Sequence, residues 1–185
     1  MQERRLQTPR GDILIRPTRE ADAEPYRDLR LEGLRMAPTS FGMDADTTAQ
    51  RTPEQWRDVM RGGAGAGNEV IYVAEVGGQL VGMTVFRRDD LPKVRHQGHL
   101  YSVYVRADWR GFGILDALFG ACLDWAKLRG VRIVKLSVTA TNTAAIRAYS
   151  RMGFSVYGID PEVILWDGTY YDELLMQRRL EGEDR

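Results

Sequence analysis

Apolar positions along this chain change period several times, and each change marks an element. "DILIRPT", residues 12–18, alternates apolar and polar side chains as a short strand does. Residues 18–36 carry Leu29, Leu31, Leu34 and Met36 at roughly helical spacing, with Thr18 as the cap candidate. A second helix is signalled at "TPEQWRDVM": Thr52 can cap, Pro53 suits the first helical position, Gln55 completes a capping box, and Gly62 is the stop. "RGGAGAGNE" lacks the Gly-Lys-Ser/Thr ending of a phosphate loop and precedes a strand, so it reads as a connector.

Two β-rich runs follow around Gly77-Gly78, the clearest hairpin signal in the chain. "GHLYSVYVR" is a further strand that runs into Asp108-Trp109-Arg110-Gly111 and a helix over residues 112–128. "VRIVKLSV" is the next strand, Asn142 begins a helix that ends at Gly153, and "FSVYGI" and "YYDELLMQRRL" flank Asp167-Gly168. The sum predicts an α/β (α+β) protein with a mixed, mainly antiparallel central sheet flanked by helices.

A length of 185 residues predicts a single domain over residues 1–185. Lys and Arg total 26 against 26 Asp and Glu, so net charge gives no general pull toward nucleic acid or an anionic membrane, and neither is expected as a partner. No apolar run approaches the roughly 18 residues of a membrane span, and "MQERRLQTPRGD" lacks a signal peptide's apolar stretch, so a cytoplasmic location is expected. The single cysteine, Cys122, sits in the apolar helical stretch "FGACLDWA" and reads as a packing residue. His96 and His99 lie near Asp89 and Asp90, but no HExxH or Cys/His framework accompanies them, so no metal is expected.

Two short stretches carry candidate chemistry. "RGFGIL", residues 110–115, places glycines between a strand and a helix start. Unpaired N–H groups and the positive end of the helix dipole make such a junction an anion cradle, and Arg110 adds charge at its rim. A tight turn before a buried helix uses the same residues. On the next helix, Asn142, Ala145 or Ile146, and Tyr149 share a face, presenting an amide near the N-terminus and a phenol two turns on. Singly, Asn142 reads equally as a cap and Tyr149 as a packing residue.

Together and in order, these stretches resemble the GNAT superfamily of N-acetyltransferases. "RGFGIL" is similar to the family's Gln/Arg-x-x-Gly-x-Gly/Ala loop at Arg110 and Gly113, and "NTAAIRAYSRMGF" to its Asn-x-x-Ala, Tyr and Gly-Phe pattern at Asn142, Ala145, Tyr149, Gly153 and Phe154. The resemblance covers about residues 12–180 and implies acetyl-CoA as co-substrate. It implies a pyrophosphate site at Arg110, Gly111, Phe112, Gly113, Ile114 and Leu115, backbone contacts to pantetheine and acetyl carbonyl from Val103 and Val105, an Asn142 contact to the pantetheine arm, and Tyr149 as general acid at the sulfur. The cofactor would lie in a gap between "LYSVYV" and "RIVKLSV".

The chain departs from that pattern twice. Leu115 stands at the final Gly/Ala position, where its N–H survives but a helical side chain points back toward the phosphate; spacing with Leu118 or Phe119, Cys122 and Ala126 also lets it turn inward. Tyr101 stands where many relatives place a glutamate base, so no carboxylate is available there, and His99, two residues earlier on the same face unless a bulge intervenes, is the candidate relay. A lysine amine, with an unperturbed pKa of about 10.4, is almost wholly protonated at pH 7, which leans toward a lower-pKa amine or a base reached through water.

The expected activity is direct attack of a primary amine on the thioester in a ternary complex. The alternative is a CoA-binding sensor or interaction module that kept the fold and lost the chemistry. The resemblance places the acceptor wall near "RLEGLRMAPTSFGMDADTT", with Arg30, Glu32, Phe41 and Asp44 as candidate contacts. Aminoglycoside, polyamine, amino acid and peptide N-terminus are open as acceptors, and the family allows a homodimer.

Overall fold

The Gly77-Gly78 turn joins the longest antiparallel pairing in the front half of a computed structural model that describes residues 3–180. The strands are β1 (Arg4–Thr8), β2 (Gly11–Pro17), β3 (Glu69–Val76), β4 (Gln79–Arg88), β5 (Gln97–Val105), β6 (Ile133–Thr139), β7 (Ser155–Trp166) and β8 (Thr169–Arg179). They form one sheet in the order β1-β2-β3-β4-β5-β6-β8-β7. Only β5 and β6 are parallel neighbours, so the mixed, mainly antiparallel sheet expected from the pattern is what forms.

Helices α1 (Ala23–Met36), α2 (Ala45–Ala49), α3 (Pro53–Gly62), α4 (Ile114–Lys127) and α5 (Thr143–Arg151) complete the elements. Alternation along β3 sends side chains to two cores. Val70, Tyr72 and Ala74 pack with Leu118, Phe119 and Cys122 of α4, while Ile71 and Val73 pack with Tyr26 and Leu29 of α1 and Trp56 and Met60 of α3. The Thr52 capping box forms as read, with Thr52 Oγ1 accepting the Gln55 N–H and Gln55 Oε1 accepting the Thr52 N–H. Cys122 is fully buried and burial pushes its thiol well up, which is packing, not reactivity.

Two local readings change, and two elements appear that the pattern did not signal. Thr18 does not cap α1: its N–H bonds Ile71 O, its hydroxyl is buried without a partner, and a short 3-10 turn (Glu20–Asp22) intervenes. The helix is delayed because Asp22 is claimed by Arg16, with Nη1 to Oδ2 at 2.6 Å and Nη2 to Oδ1 at 2.8 Å, and by the Arg19 N–H at 2.6 Å. Met36 points to solvent at 69% exposed, since the stripe of α1 ends at Leu34. Strand β1 and helix α2 carried no strong period; β1 forms by pairing with β2, and α2 is held by Asp44 capping the Thr47 N–H.

The Arg16–Asp22 pair is buried, with Glu75 adding a third charge at 2.6 Å. Burial alone would raise the Asp22 carboxyl, but the hydrogen bonds from Arg16 and the Arg19 backbone outweigh it and hold the group below its usual range. A depressed folded pKa stabilises above the unfolded value, about 3.9, and that contribution is lost as pH falls through the folded value. Asp22→Asn is therefore expected to cost about 3 kcal/mol at pH 7, because it strips a buried arginine of its main partner. The gap to wild type should narrow below about pH 4, as read from urea melts across pH.

Candidate active site

The pairing of β5 with β6 stops almost as soon as it starts. Only Gln97, Gly98 and His99 meet Ile133, Val134 and Lys135. On its other side β5 bulges: Val85 faces Tyr101 but Met83 faces Tyr104, and Ser102 takes a positive φ of 52°. Ser102 and Val103 therefore have no strand partner on either side, and the bulge reverses the face on which Tyr104 emerges. A cleft of about 620 Å³ opens between the two strands where they part.

The start of α4 closes one end of this cleft. Gly111 and Gly113 adopt φ of +83° and +75°, and a Cβ at either would meet nothing within 4 Å, so the space above them is open to a ligand. Gly113 immediately precedes Ile114, the first helical residue, whose neighbouring N–H groups lack intrahelical acceptors. Arg110 lines the cleft but turns back, donating from Nε to Val105 O at 3.1 Å. Phe112 lies outside the cleft against Trp109, with ring centroids 6.1 Å apart. Leu115 is half-buried: it packs against the core beside α4 and also lines the cleft, so it does not turn fully inward.

Helix α5 forms the opposite wall. Asn142 Oδ1 accepts the Ala145 N–H at 3.1 Å and so caps α5, while its Nδ2 lies 3.4 Å from Ser40 Oγ and its side chain lines the cleft. Tyr149 is buried but reaches the cleft, its ring stacked on Phe119 at 5.3 Å and 12°. Burial pushes its phenol up to about 12. The hydroxyl hydrogen-bonds no described residue.

Tyr101, at the position of the missing carboxylate, is 46% exposed and lines the cleft. Burial of its inner part, with Asp89 near, raises its phenol. His99 stacks on the Tyr101 ring at 5.9 Å and 14°, and its Nε2 lies 3.5 Å from Asp89 Oδ2. It lines no cavity described here, so it stands behind Tyr101. No group of three or more His, Cys, Asp or Glu suited to a metal occurs among the described residues, and no helix there is long and apolar enough to cross a membrane.

A second cavity, about 470 Å³, continues from the first and shares Ser40, Phe41, Leu100, Tyr101, Ser102 and Ser137 with it. Of the candidate acceptor contacts, Arg30 and Phe41 meet there, with the guanidinium 4.7 Å from the ring centroid. Glu32 does not: Tyr104 Oη donates to its Oε1 at 3.0 Å and Arg106 Nε to its Oε2 at 2.9 Å. Asp44 is engaged as the cap of α2. Arg51, Trp56, Glu69 and Glu173 also line this cavity and carried no signal in the sequence, because they come from α3, β3, β8 and the loop before α3.

A mixed sheet split between two parallel strands, with a glycine turn opening a helix at the split, is the architecture of the coenzyme A-dependent acetyltransferases. The chain belongs to the acetyltransferase (GNAT) family, whose model matches residues 31–154. It is 36% identical over 85 residues to an N-acetyltransferase of Methanocaldococcus jannaschii, covering 45% of this chain and 38% of that protein. It is 29% identical over 116 residues to the L-methionine sulfoximine/L-methionine sulfone acetyltransferase of Pseudomonas aeruginosa, covering 62% of this chain and 67% of that one. The chain thus spans well under half of the first relative and two thirds of the second. The fold also matches a Salmonella typhimurium structure that holds its cofactor acetyl-CoA, with a TM-score of 0.78 at 21% identity over 94% of this chain and 96% of that one.

Proposed function

We propose that this protein transfers the acetyl group of acetyl-CoA to the amine of a small-molecule acceptor by direct attack in a ternary complex. The observation that carries the reading is the continuity of two cavities across Tyr101 and Ser102: one ends at the glycine cradle of α4, the other at polar side chains suited to an acceptor. The Pseudomonas relative acts on L-methionine sulfoximine and sulfone, which supports a small amine. One sheet running through β1 to β8 supports reading residues 1–185 as a single catalytic domain.

In this reading the amides of residues 111–115 hold the pyrophosphate. Val103, unpaired by the bulge, offers its backbone to the pantetheine and the acetyl carbonyl; Val105 O already accepts from Arg110, so Val103 carries most of that role. Asn142 Nδ2 is the group of that side chain left to meet the pantetheine arm, since Oδ1 caps α5. A neutral amine in the second cavity forms the new C–N bond as the C–S bond breaks. Tyr149 donates a hydrogen bond to the departing sulfur, and the surplus amine proton leaves through the second cavity to water.

The test is calorimetric titration with acetyl-CoA followed by thiol release with a panel of small amines. Micromolar binding and amine-dependent thiol release are expected. Binding without amine-dependent release would point instead to a CoA sensor on the same fold, and no binding would mean that Leu115 closes the cradle.

A further inference from the structure

Arg30 is the anomaly of the second cavity. Helical spacing puts it on the inner face of α1 with Tyr26 and Leu34, and it is only 8% exposed. Guanidinium groups this deeply buried normally meet a carboxylate, because an unpaired buried charge is costly. Arg16 meets two. Arg30 meets none within 4.0 Å among the described residues, and its Nη1 is shut from solvent without a hydrogen-bond partner. Among the described residues its guanidinium rests on the face of Phe41. Burial lowers its pKa, and Arg51 lowers it further by adding a second positive charge nearby.

The rest of the lining explains the anomaly. Arg51 rests on the Trp56 ring, 5.3 Å from its centroid, also without an ion pair among the described residues, and the buried Trp56 Nε1 donates to nothing. Arg87 adds a third cation, held only by Asp90 at 3.9 Å. Glu69 and Glu173 line the same space, neither of them in an ion pair among the described residues. With Arg87 set against Asp90, Arg30 and Arg51 are the cations of this lining without an ion pair among the described residues. An amino acid in its reactive form, with neutral amine and ionised carboxylate, brings the one carboxylate that Arg30 lacks. A dianionic phosphate would meet the two glutamates at close quarters.

We propose that the acceptor is an amino acid whose carboxylate is bound by Arg30, with Arg51 beside it, in the cavity behind Tyr101 and Ser102. The inference rests on the acetyltransferase reading and names its substrate class. The shared wall at Tyr101, Ser102 and Ser137 lets the amine face the cleft while the carboxylate stays under α1. The arginine is left unpaired in the empty protein because its counter-charge arrives with the substrate.

The experiment compares matched acceptors at saturating acetyl-CoA: L-methionine against 3-(methylthio)propylamine, and L-phenylalanine against phenethylamine. The wild type should favour each amino acid over its decarboxylated partner by at least about 100-fold in kcat/KM, since the amine leaves a buried donor set unpaired. Arg30→Met should raise KM for the amino acid by about 100-fold, spare the Kd for acetyl-CoA, and abolish the preference; Arg30→Lys should restore part of it. Arg30→Met should also raise Tm, whereas an arginine kept for packing would lower it when lost. Equal kcat/KM for the matched pairs, or parallel losses on both in Arg30→Met, would overturn the proposal while leaving acetyl transfer standing. If neither class turns over, titration of the CoA-loaded protein with the twenty L-amino acids decides: binding that Arg30→Met abolishes supports the carboxylate site, and no binding removes it. Failure of acetyl-CoA itself to bind would instead remove the acetyltransferase reading.

Discussion

Tyr149→Phe is expected to lower kcat by about 100- to 1,000-fold and to leave the Kd for acetyl-CoA within about threefold. The substitution removes one oxygen and keeps the ring, so the stack on Phe119 and the contact with Phe154 persist. The lost oxygen has no hydrogen-bond partner among the described residues, and a departing thiolate is the charge it would meet. Full proton transfer is not expected of it. With the phenol pushed up to about 12 by burial, and a thiol near 8.5, handing over the proton would be uphill by roughly 5 kcal/mol. A hydrogen bond that strengthens as charge develops on sulfur requires no such transfer. The same shift places the loss of the phenol proton far above neutrality, so kcat should show no descending limb from Tyr149 below about pH 10. Initial rates of thiol release across pH are the measurement, and an unchanged kcat in Tyr149→Phe would remove the residue from the chemistry.

Gly113→Ala is expected to weaken acetyl-CoA binding by at least about 100-fold while lowering stability by only about 1 kcal/mol. The two effects have separate causes. Stability falls because Gly113 sits at φ +75°, a region that costs a residue with a Cβ. It falls little, because that Cβ would meet no atom within 4 Å in the empty protein. Binding falls far more because the open space is the space a pyrophosphate needs to reach the first N–H groups of α4. Melting curves and calorimetric titration of the same variant separate the two. A large fall in Tm with unchanged affinity would make the glycine a folding residue and move the phosphate elsewhere.

Leu115 is the irregular residue of this turn. The side chain shares its surface between the core beside Phe119 and the cleft wall. Its N–H is unaffected by that choice. The cradle is made of backbone and of the space above two glycines, and neither depends on the leucine closing inward completely.

Residues that interact within a few positions were legible from the order of amino acids. The Thr52–Gln55 box, the Gly77-Gly78 hairpin, the left-handed Gly111 and Gly113 before α4, and Asn142 capping α5 three residues on are all short-range devices whose partners lie in the same window. The family motifs are built from such windows, which is why both walls of the cleft could be anticipated. Thr18 was misjudged because a short-range signal lost to tertiary ones: β3 took its N–H, and Arg16 claimed the Asp22 carboxylate.

The acceptor cavity depended on contacts of long sequence separation. Glu32 looked as available as Arg30, two residues away, until the fold set Tyr104 and Arg106 beside the first and left the second against Phe41. Residues two apart on one helix point to different faces, and only the neighbours on each face decide whether a charge is neutralised. The bulge at Ser102 and the parting of β5 from β6 likewise arise from register between strands. By itself, then, the sequence determined most of the elements, the Thr52 and Asn142 caps and the glycine turn before α4, because local sterics and hydrogen bonding dictate them. The tertiary structure alone decided the bulge at Ser102 and which arginine remains unpaired among the described residues, because both depend on chain segments that meet only after folding.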